Sequence, residues 1–462
     1  MKFRFKNLGP IKEANLELGD LTIIAGPNNT GKTYLAYALY GFLKRWEWSP
    51  EAIVRLMREK GLAGIGSMAA AALYKGQASV RADRHELEEQ RATVGRYMDS
   101  AFSKSELAQM FSSTQDRFKD ASVEMSSALP EDIPTAEMRE SSGTRFRVSW
   151  EDDQVLVSVD AAPGQYMDRG PALFFLEMLY FRFLFPELKI EPFILCSERF
   201  GISLFYRELD FTKNKLVDLL QQMSDERSQL HTDPFLVIDR TTSRYALPVK
   251  DNIDYTRSIP DLRGQKSALS EHKLATELRR LTSASYKSSG DSISLTSTAR
   301  GPRRFSIPLH LASSSARGLS DLYFFLQHVA GPNHLLIIDE PESHLDTHNQ
   351  ILMARLLVRC VHAGLKVLIT THSDYLVKEL NNLIMLSRDL DGKQDLLKKL
   401  KYDTDDALDP GRIRAYVAEN GTLTACNVDK YGMEMPNFDS TIDDINHATN
   451  EISSRILETE GE

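Results

Sequence analysis

An α/β fold, in which helices flank a mixed β-sheet, is the fold class that this 462-residue chain predicts. Three apolar segments carry the prediction, and each ends in polar residues. Residues 21–25 lead into a glycine-rich loop, 335–340 end in two acids, and 366–372 end in a histidine. Short apolar runs of this kind are typical of parallel strands buried on both faces. The segments between them predict a mainly helical insertion.

The glycine-rich loop lies between the first apolar run and a predicted helix at 34–43, and it has the spacing of a phosphate-binding loop. Two glycines let successive backbone N–H groups face a phosphate, Lys32 adds a positive charge, and the Thr33 hydroxyl is a ligand for Mg²⁺. The helix adds the positive end of its dipole. The predicted ATP-binding residues are Gly26, Pro27, Asn28, Asn29, Thr30, Gly31, Lys32 and Thr33.

The second apolar run delivers two carboxylates to the edge of the sheet. Asp339 is placed to hold hydrated Mg²⁺. Glu340, one residue further, is predicted to act as a general base or to orient the attacking water. The alternative is that both acids only cap the turn that follows, and the phosphate-binding loop upstream argues against it.

The third apolar run ends at His372, which can reach a γ-phosphate or position the catalytic carboxylate. A histidine taken alone is more often a packing residue, but this one comes in order after a strand. Upstream, three serines at 313–315 open an apolar-periodic helix, and serines in that place are ordinary helix caps.

In chain order, the phosphate loop, serine segment, acidic strand, Ser-His-Leu-Asp turn at 343–346 and terminal histidine resemble an ATP-binding cassette ATPase head of the SMC-like kind. The resemblance implies ATP and Mg²⁺, and a head-to-head dimer or higher homo-oligomer in which each serine signature completes the partner's site. The residues implied at that shared site are Ser314, Ser315, Arg317 and Asp346. The usual Leu-Ser-Gly-Gly-Gln signature is absent from the sequence.

Two other segments resemble ATPases of bacterial anti-phage defence. Glu198-Arg199 follows a predicted strand, as in the Glu-Arg segment of those proteins. Residues 421–423, 431–434 and 437–446 resemble the C-terminal segment of Septu (PtuA-type) and retron ATPases. The resemblance implies a subunit that works with a separate HNH nuclease. Two alternatives stay open: an SMC-like DNA-repair ATPase acting directly on DNA, and an ATP-sensing assembly switch that scarcely hydrolyses.

Charge is unevenly distributed along the chain. The net charge is −9, yet residues 235–304 carry thirteen Lys or Arg against seven Asp or Glu, a balance of +6. This segment could contact a DNA backbone, or it could be an ordinary solvated face. The acids at 403, 405 and 406 lack the accompanying glutamates of a nuclease, and the histidines at 328–362 do not form an HNH or zinc pattern.

Composition favours a cytoplasmic protein without a membrane partner. The three cysteines, Cys196, Cys360 and Cys426, lie far apart and suit a reducing compartment. The first residues lack the apolar core of a signal peptide. The most apolar stretch, 171–185, is shorter than the about 20 residues that span a bilayer, so a buried helix is expected.

The predicted organisation alternates ATPase head and insertions. Helices are expected at 86–99 and 106–118, a hairpin at 144–160, and two strands within 292–309. The predicted parts are the head with its phosphate loop (1–47), a helical insertion (48–143), a return to the head (144–205), a helical and locally basic insertion (206–290), the head with signature, acidic strand and histidine (291–385), and a C-terminal extension (386–462).

Overall fold

The computed structural model of the chain describes residues 1–48, 64–102, 104–126, 128–140, 143–160, 169–206, 245–290, 292–297, 305–435 and 447–455. The strands in these ranges are β1 (Lys2–Leu8), β2 (Ile11–Glu17), β3 (Leu21–Ala25), β4 (Gln77–Arg81), β5 (Ser122–Ser126), β6 (Ala136–Arg139), β7 (Arg145–Glu151), β8 (Gln154–Asp160), β9 (Glu191–Leu195), β10 (Ala284–Ser289), β11 (Ser292–Ser297), β12 (Ser306–Pro308), β13 (His334–Asp339), β14 (Lys366–Thr371), β15 (Ile413–Glu419), β16 (Thr422–Ala425), β17 (Val428–Asp429) and β18 (Gly432–Met433).

Helices surround these strands. In chain order they include α1 (Lys32–Trp48), α2 (Gly64–Lys75), α3 (Arg84–Ala101), α4 (Lys104–Met110), α5 (Arg169–Leu184), α6 (Leu247–Ser258), α7 (Leu274–Thr282), α8 (Ser314–Phe324), α9 (Thr347–His362), α10 (Asp374–Met385) and α11 (Lys393–Leu400). Residues 199–206 and 447–455 are also helical.

A nine-stranded mixed sheet forms the centre of the molecule, in the order β5-β1-β2-β16-β15-β3-β14-β13-β9. Its last five strands, from β15 to β9, are mutually parallel. The other end is mixed: β1 pairs antiparallel with β2 and β5, while β16 pairs antiparallel with β15 and parallel with β2. The predicted α/β fold with a mixed sheet flanked by helices is confirmed.

The parallel strands are apolar throughout because both of their faces are buried. In β3, Ile24 faces one hydrophobic core, whereas Leu21, Ile23 and Ala25 face the other. In β13 the side chains alternate in the same way between the two cores. Helices on both sides cover these faces, as a parallel sheet requires. The two cores hold the strands in place, so that the polar residues after each strand lie at defined positions.

Several predicted elements are present. The helix predicted at 86–99 is α3, and it begins with a capping box between Asp83 and Glu86. The hairpin at 144–160 is β7 and β8, which turn at Asp152 and Asp153 with positive φ. The strands expected within 292–309 are β11 and β12. The single helix predicted at 106–118 is instead two elements, helix α4 and a separate 3₁₀ turn at Gln115–Phe118.

The predicted helical insertion also contains strands. Between 64 and 140, β4, β5 and β6 accompany the helices, and β5 joins the central sheet beside β1. β4 and β6 instead form a four-stranded sheet with β7 and β8. All three strands alternate polar and apolar residues, so the period-2 signal was present in the sequence, but each run is only four or five residues long and lies in a largely helical context.

The apolar stretch at 171–185 forms helix α5, and Leu176, Leu179 and Phe183 are buried in it. Among the described residues, no helix combines the length and the apolar character needed to cross a membrane. Parts of the basic segment (235–244, 291 and 298–304) and of the C-terminal resemblance (437–446) lie outside the described residues.

Candidate functional site

Three neighbouring parallel strands bring the predicted site residues to one edge of the sheet. β3 pairs with β14 so that Ala25 lies opposite Thr371, and β13 pairs with β14 so that Asp339 lies opposite Thr370. The residues that follow each strand therefore meet at the carboxyl edge, where ligands of open α/β sheets bind. The structure brings together the phosphate loop, the two acids and His372.

The phosphate loop depends on glycine at its first position. Gly26 has a φ of 145°, and a Cβ placed there would lie 2.5 Å from the carbonyl oxygen of Ala418 in β15. The Gly26 amide donates to the carbonyl of Thr371, at 3.2 Å. A side chain is excluded both by this conformation and by a backbone atom that cannot rotate away.

We expect Gly26→Ala to weaken nucleotide affinity by about tenfold or more, because the loop must shift to relieve the clash with the Ala418 carbonyl. Gly264→Ala is the matched control: Gly264 also has positive φ, 80°, but nothing lies within 4 Å of a Cβ there. Isothermal titration of ATP into both variants measures the difference. Equal affinities in the two variants would contradict the role given to this close approach.

Lys32 is held inside the loop. Its ammonium donates to the carbonyls of Gly26, at 2.8 Å, and Pro27, at 2.7 Å, and the residue is only 5% exposed. Burial lowers the pKa of Lys32, against the opposing effect of the nearby carboxylates of Glu340 and Asp339. A phosphate in the loop would supply negative charge to this buried ammonium.

Thr33 and Asp339 form the only direct link that we describe between the loop and the acidic strand. The Thr33 hydroxyl lies 3.0 and 3.2 Å from the two carboxylate oxygens of Asp339, and Thr370 donates a short hydrogen bond to the same carboxylate. Asp339 is fully buried, and burial raises its pKa. Hydroxyl and carboxylate oxygens are the hard ligands that Mg²⁺ takes.

The residues present therefore fit Mg²⁺. Among the described residues, no group of three or more His, Cys, Asp or Glu side chains could hold a metal. Mg²⁺ commonly takes only one or two protein ligands and fills its other positions with water and phosphate oxygens. Thr33 and Asp339 are the two protein groups that would hold it.

Glu340 is placed by an unusual backbone conformation. Its φ is 50°, a left-handed value that is uncommon for glutamate, and its amide donates to both the carbonyl and the hydroxyl of Thr370, each at 3.1 Å. Its carboxylate accepts from Ser343 at 3.0 Å and lies 3.5 Å from Nδ1 of His372. Backbone strain of this kind is concentrated at functional sites.

The hydrogen bond from His372 lowers the pKa of Glu340 to about 2. A carboxylate with so low a pKa is always ionised near neutral pH and is a weak Brønsted base. This arrangement suits the orientation of a water molecule better than the removal of its proton. Of the two roles expected from the sequence, this low pKa favours orientation.

A second carboxylate shares the same histidine. Oε1 of Glu342 lies 3.4 Å from Nδ1 of His372 and accepts from the His372 amide, at 2.8 Å, and from the Thr371 hydroxyl, at 2.7 Å. Glu342 is 4% exposed. Together with Glu340 it raises the pKa of His372. Sequence reasoning missed this role of Glu342; the available signal was a third acid two residues after Glu340.

The predicted signature residues lie in local capping contacts. The helix α8 is capped by Ser313, whose hydroxyl accepts from the Ala316 amide, and the Ser315 hydroxyl lies 3.0 Å from that of Ser313. Arg317 donates to the carbonyls of Ala312 and His310. The contacts described for Ser315 and Arg317 all lie within this segment, and none of these contacts reaches the phosphate loop of the same chain.

Asp346 caps helix α9. Its carboxylate accepts from the amide of Asn349, at 3.0 Å, and from the Asn349 side chain, at 2.7 Å. The turn between Glu340 and this cap is tight, because the amide of Ser343 donates to the carbonyl of Glu340 and His344 has a φ of 63°. Asp346 therefore fixes where the acidic turn ends and the helix begins.

Arg199 is the second residue whose place the sequence did not reveal. It is 4% exposed, and its guanidinium donates to the carbonyls of Asp339 and Glu340, each at 2.7 Å. The sequence pointed to Glu198-Arg199 only through a resemblance. The structure places Arg199 directly behind the acidic turn.

Comparison with known proteins gives one family match. The family described as the AAA ATPase domain matches residues 206–377, a range that includes α8, β13 and His372 but not the phosphate loop. No curated protein matches the sequence.

Solved structures of SMC heads are similar at low identity. The SMC head domain from Thermotoga maritima is 12% identical, with 93% of this chain and 98% of that chain covered and a TM-score of 0.29. The Smc head domain with an extended coiled coil bound to the C-terminal domain of ScpA, derived from Pyrococcus furiosus, is 12% identical, with 96% and 98% covered and a TM-score of 0.31. The SmcHead bound to the C-winged helix domain of ScpA is 13% identical, with 92% and 95% covered and a TM-score of 0.32.

The phosphate loop on a central parallel strand and the AAA ATPase match are independent, since they concern different parts of the chain. Together they show that the chain has the fold of a P-loop ATPase.

Proposed function

We propose that this chain binds and hydrolyses ATP with Mg²⁺, and that it is the ATPase subunit of a Septu-like anti-phage defence system in which it scaffolds and regulates a separate HNH nuclease. The observation that supports hydrolysis best is the contact between Thr33 and Asp339, at 3.0 Å, with Glu340 and His372 beside it at the same edge of the sheet. The defence role rests on the sequence resemblance.

Each residue has a distinct task in the proposed reaction. The loop amides and Lys32 bind the phosphates, while Thr33 and Asp339 hold Mg²⁺, which when bound neutralises phosphate charge. Glu340 orients the attacking water. His372, whose pKa is raised by its hydrogen bond to Glu340 and by the nearby Glu342 carboxylate, pairs with the Glu340 carboxylate.

A second copy of the chain would complete the site. Ser314, Ser315 and Arg317 lie at the N-terminus of α8, where amide groups and the helix dipole favour an anion. The hydrogen bonds described for Ser315 and Arg317 stay within their own segment, which is consistent with a role toward the nucleotide of a partner. We propose Asp346 as a contact residue of the same head-to-head assembly.

The part of the chain predicted as a C-terminal extension, 386–462, contributes β15 and β16 to the central sheet, and it is also attached to α10. The Met433 amide donates to the side chain of Asn381 in α10, at 2.8 Å, and the Asn381 side chain donates back to the Met433 carbonyl. Helix α10 begins two residues after His372. This attachment supports a route by which the nucleotide state reaches a nuclease bound at the extension.

The experiment that tests the proposal is native mass spectrometry of the complex purified with the products of neighbouring genes, with and without ATP. An HNH protein in a multi-copy assembly is the expected result. Phosphate release is measured on the same sample. Tight ATP binding without phosphate release would instead favour an ATP-sensing switch, and a dimer without any nuclease would contradict the defence role.

A second candidate function is an SMC-like ATPase that acts directly on DNA. Lys266, Lys273 and Lys287 are exposed within the described part of the basic segment, which favours contact with a phosphate backbone. Binding to duplex DNA that weakens steeply with salt, together with DNA-stimulated turnover in the absence of a nuclease, would support this function over the first.

A further inference from the structure

The edge of the sheet next to the catalytic strand is incomplete. β9 pairs with β13 up to Leu195 and Ile338, and the chain then leaves the sheet. The amide of Cys196, the next residue, donates to the side chain of Asn252 in α6, at 2.7 Å. The carbonyl of Asp339 therefore has no strand partner on the β9 side, and an unpaired buried carbonyl is costly.

Arg199 takes the place of that missing strand. Its Nη1 donates to the carbonyl of Asp339, at 2.7 Å, and to that of Cys196, at 3.0 Å, while Nη2 donates to the carbonyl of Glu340, at 2.7 Å. Consecutive carbonyls of an extended strand point in opposite directions. One planar guanidinium reaches both only because the backbone turns at Glu340, where φ is 50°.

The residues on either side of Arg199 contact other parts of the site. The Tyr37 hydroxyl in α1 donates to Glu198, at 3.2 Å. The ring of Phe200 lies against that of His344, with centroids 4.0 Å apart. Gly318 in α8 also lies beside the segment, because a Cβ there would be 3.9 Å from Nε of Arg199. Residues 198–200 thus touch the phosphate-loop helix, the acidic turn and the serine helix.

We propose that Arg199 is a positioning residue for Glu340: its paired hydrogen bonds hold the left-handed backbone that aims the catalytic carboxylate, and its neighbours link that backbone to α1 and α8. The inference rests on the proposed function, since it assumes that Glu340 acts in hydrolysis. It goes further by assigning a task to the Glu-Arg segment. A purely structural arginine would stabilise the protein without affecting turnover specifically.

The test compares Arg199→Met, which keeps an unbranched chain but removes every donor, with Arg199→Lys, which keeps the charge but loses the planar fork. Hydrogen exchange of the nucleotide-free protein reports on the turn directly, through the amides of Ser343, bonded to the Glu340 carbonyl, and Leu345, bonded to the Glu342 carbonyl. In Arg199→Met we expect exchange at 340–346 to rise by about tenfold or more, with 336–338 unchanged. In Arg199→Lys, the exchange rate at 340–346 should lie between that of Arg199→Met and that of the wild type.

Steady-state kinetics separate positioning from binding. For Arg199→Met we expect kcat to fall by about a hundredfold while KM stays within about threefold. A misoriented Glu340 carboxylate lowers turnover, whereas the phosphate loop that binds ATP is unaffected. Arg91→Met is the matched control. Arg91 is also a buried arginine, bonded to the carbonyl of Leu184 and to Glu187, but it lies in the insertion. The Arg91→Met substitution should lower the melting temperature and leave both kcat and the exchange at 340–346 unchanged.

Unchanged exchange at 340–346 in Arg199→Met would overturn the inference, as would an equal loss of kcat in Arg91→Met. If Arg199→Met does not fold, Arg199→Lys decides by the same exchange measurement. A wild-type protein that does not hydrolyse ATP would refute the proposed function, whereas faster exchange at the turn would still establish that Arg199 holds the Glu340 backbone.

Discussion

Replacing Glu340 with glutamine is expected to lower ATP turnover by about a hundredfold to a thousandfold while ATP affinity stays within about threefold of the wild type. Glutamine has the same size and can still accept the hydrogen bond from Ser343. It lacks the charge that pairs with His372 and that orients a water molecule. The variant should therefore bind ATP without hydrolysing it, and it should accumulate as an ATP-bound assembly of higher mass.

Phosphate release, ATP titration and native mass spectrometry on one preparation measure these three effects. Glu191→Gln is the matched control, because Glu191 also pairs with a histidine, His334 at 3.4 Å, but at the opposite edge of the same parallel strands. That variant should turn over like the wild type. Normal turnover in Glu340→Gln would remove Glu340 from its proposed role.

Replacing Lys32 with alanine is expected to abolish measurable ATP binding, a loss of about a hundredfold or more in affinity. The change removes the only ammonium that we describe inside the loop. It also leaves the carbonyls of Gly26 and Pro27 without this donor, so the loop itself loses support. Turnover disappears because binding does, which distinguishes this variant from Glu340→Gln.

Lys366→Ala is the control for Lys32→Ala. Lys366 begins β14, a neighbour of the loop strand, but its ammonium bonds to Asp20 at the other edge of the sheet, at 3.1 Å. Titration with ATP and thermal unfolding of both variants separate loss of the site from loss of the fold. Wild-type affinity in a folded Lys32→Ala protein would exclude Lys32 from phosphate binding.

The sequence predicted the strands that end at the candidate site, because the signals for these strands lie within short segments of the chain. The spacing of Gly26, Gly31 and Lys32, and the acids directly after an apolar run, are readable without knowing which strands are neighbours. Two buried faces require apolar residues at nearly every position of β3, β13 and β14. The order of the polar ends along the chain then indicated one shared site.

The side-chain contacts that hold this edge of the sheet could not be predicted, because they depend on which distant segments become neighbours. Arg199 meets the Glu340 carbonyl only because β9 pairs with β13 and then leaves the sheet. Asn252 meets Cys196 only because α6 packs over that same strand. The left-handed backbone of Glu340 was also hidden, since glutamate carries no local preference for it. Tertiary contacts outweigh residue preference at such positions.

The position of β3 in the sheet has a consequence for how the protein is made. β3 is among the first strands to be synthesised, yet both of its partners, β14 and β15, come from far downstream, and the Ala418 carbonyl beside Gly26 belongs to β15. A nascent chain therefore carries the entire phosphate-loop sequence before β14 and β15, the strands that pack beside it, have been synthesised. Pairings so distant along the chain form late and slowly. The loop after β3 can therefore reach its final conformation only after residue 418 has been synthesised.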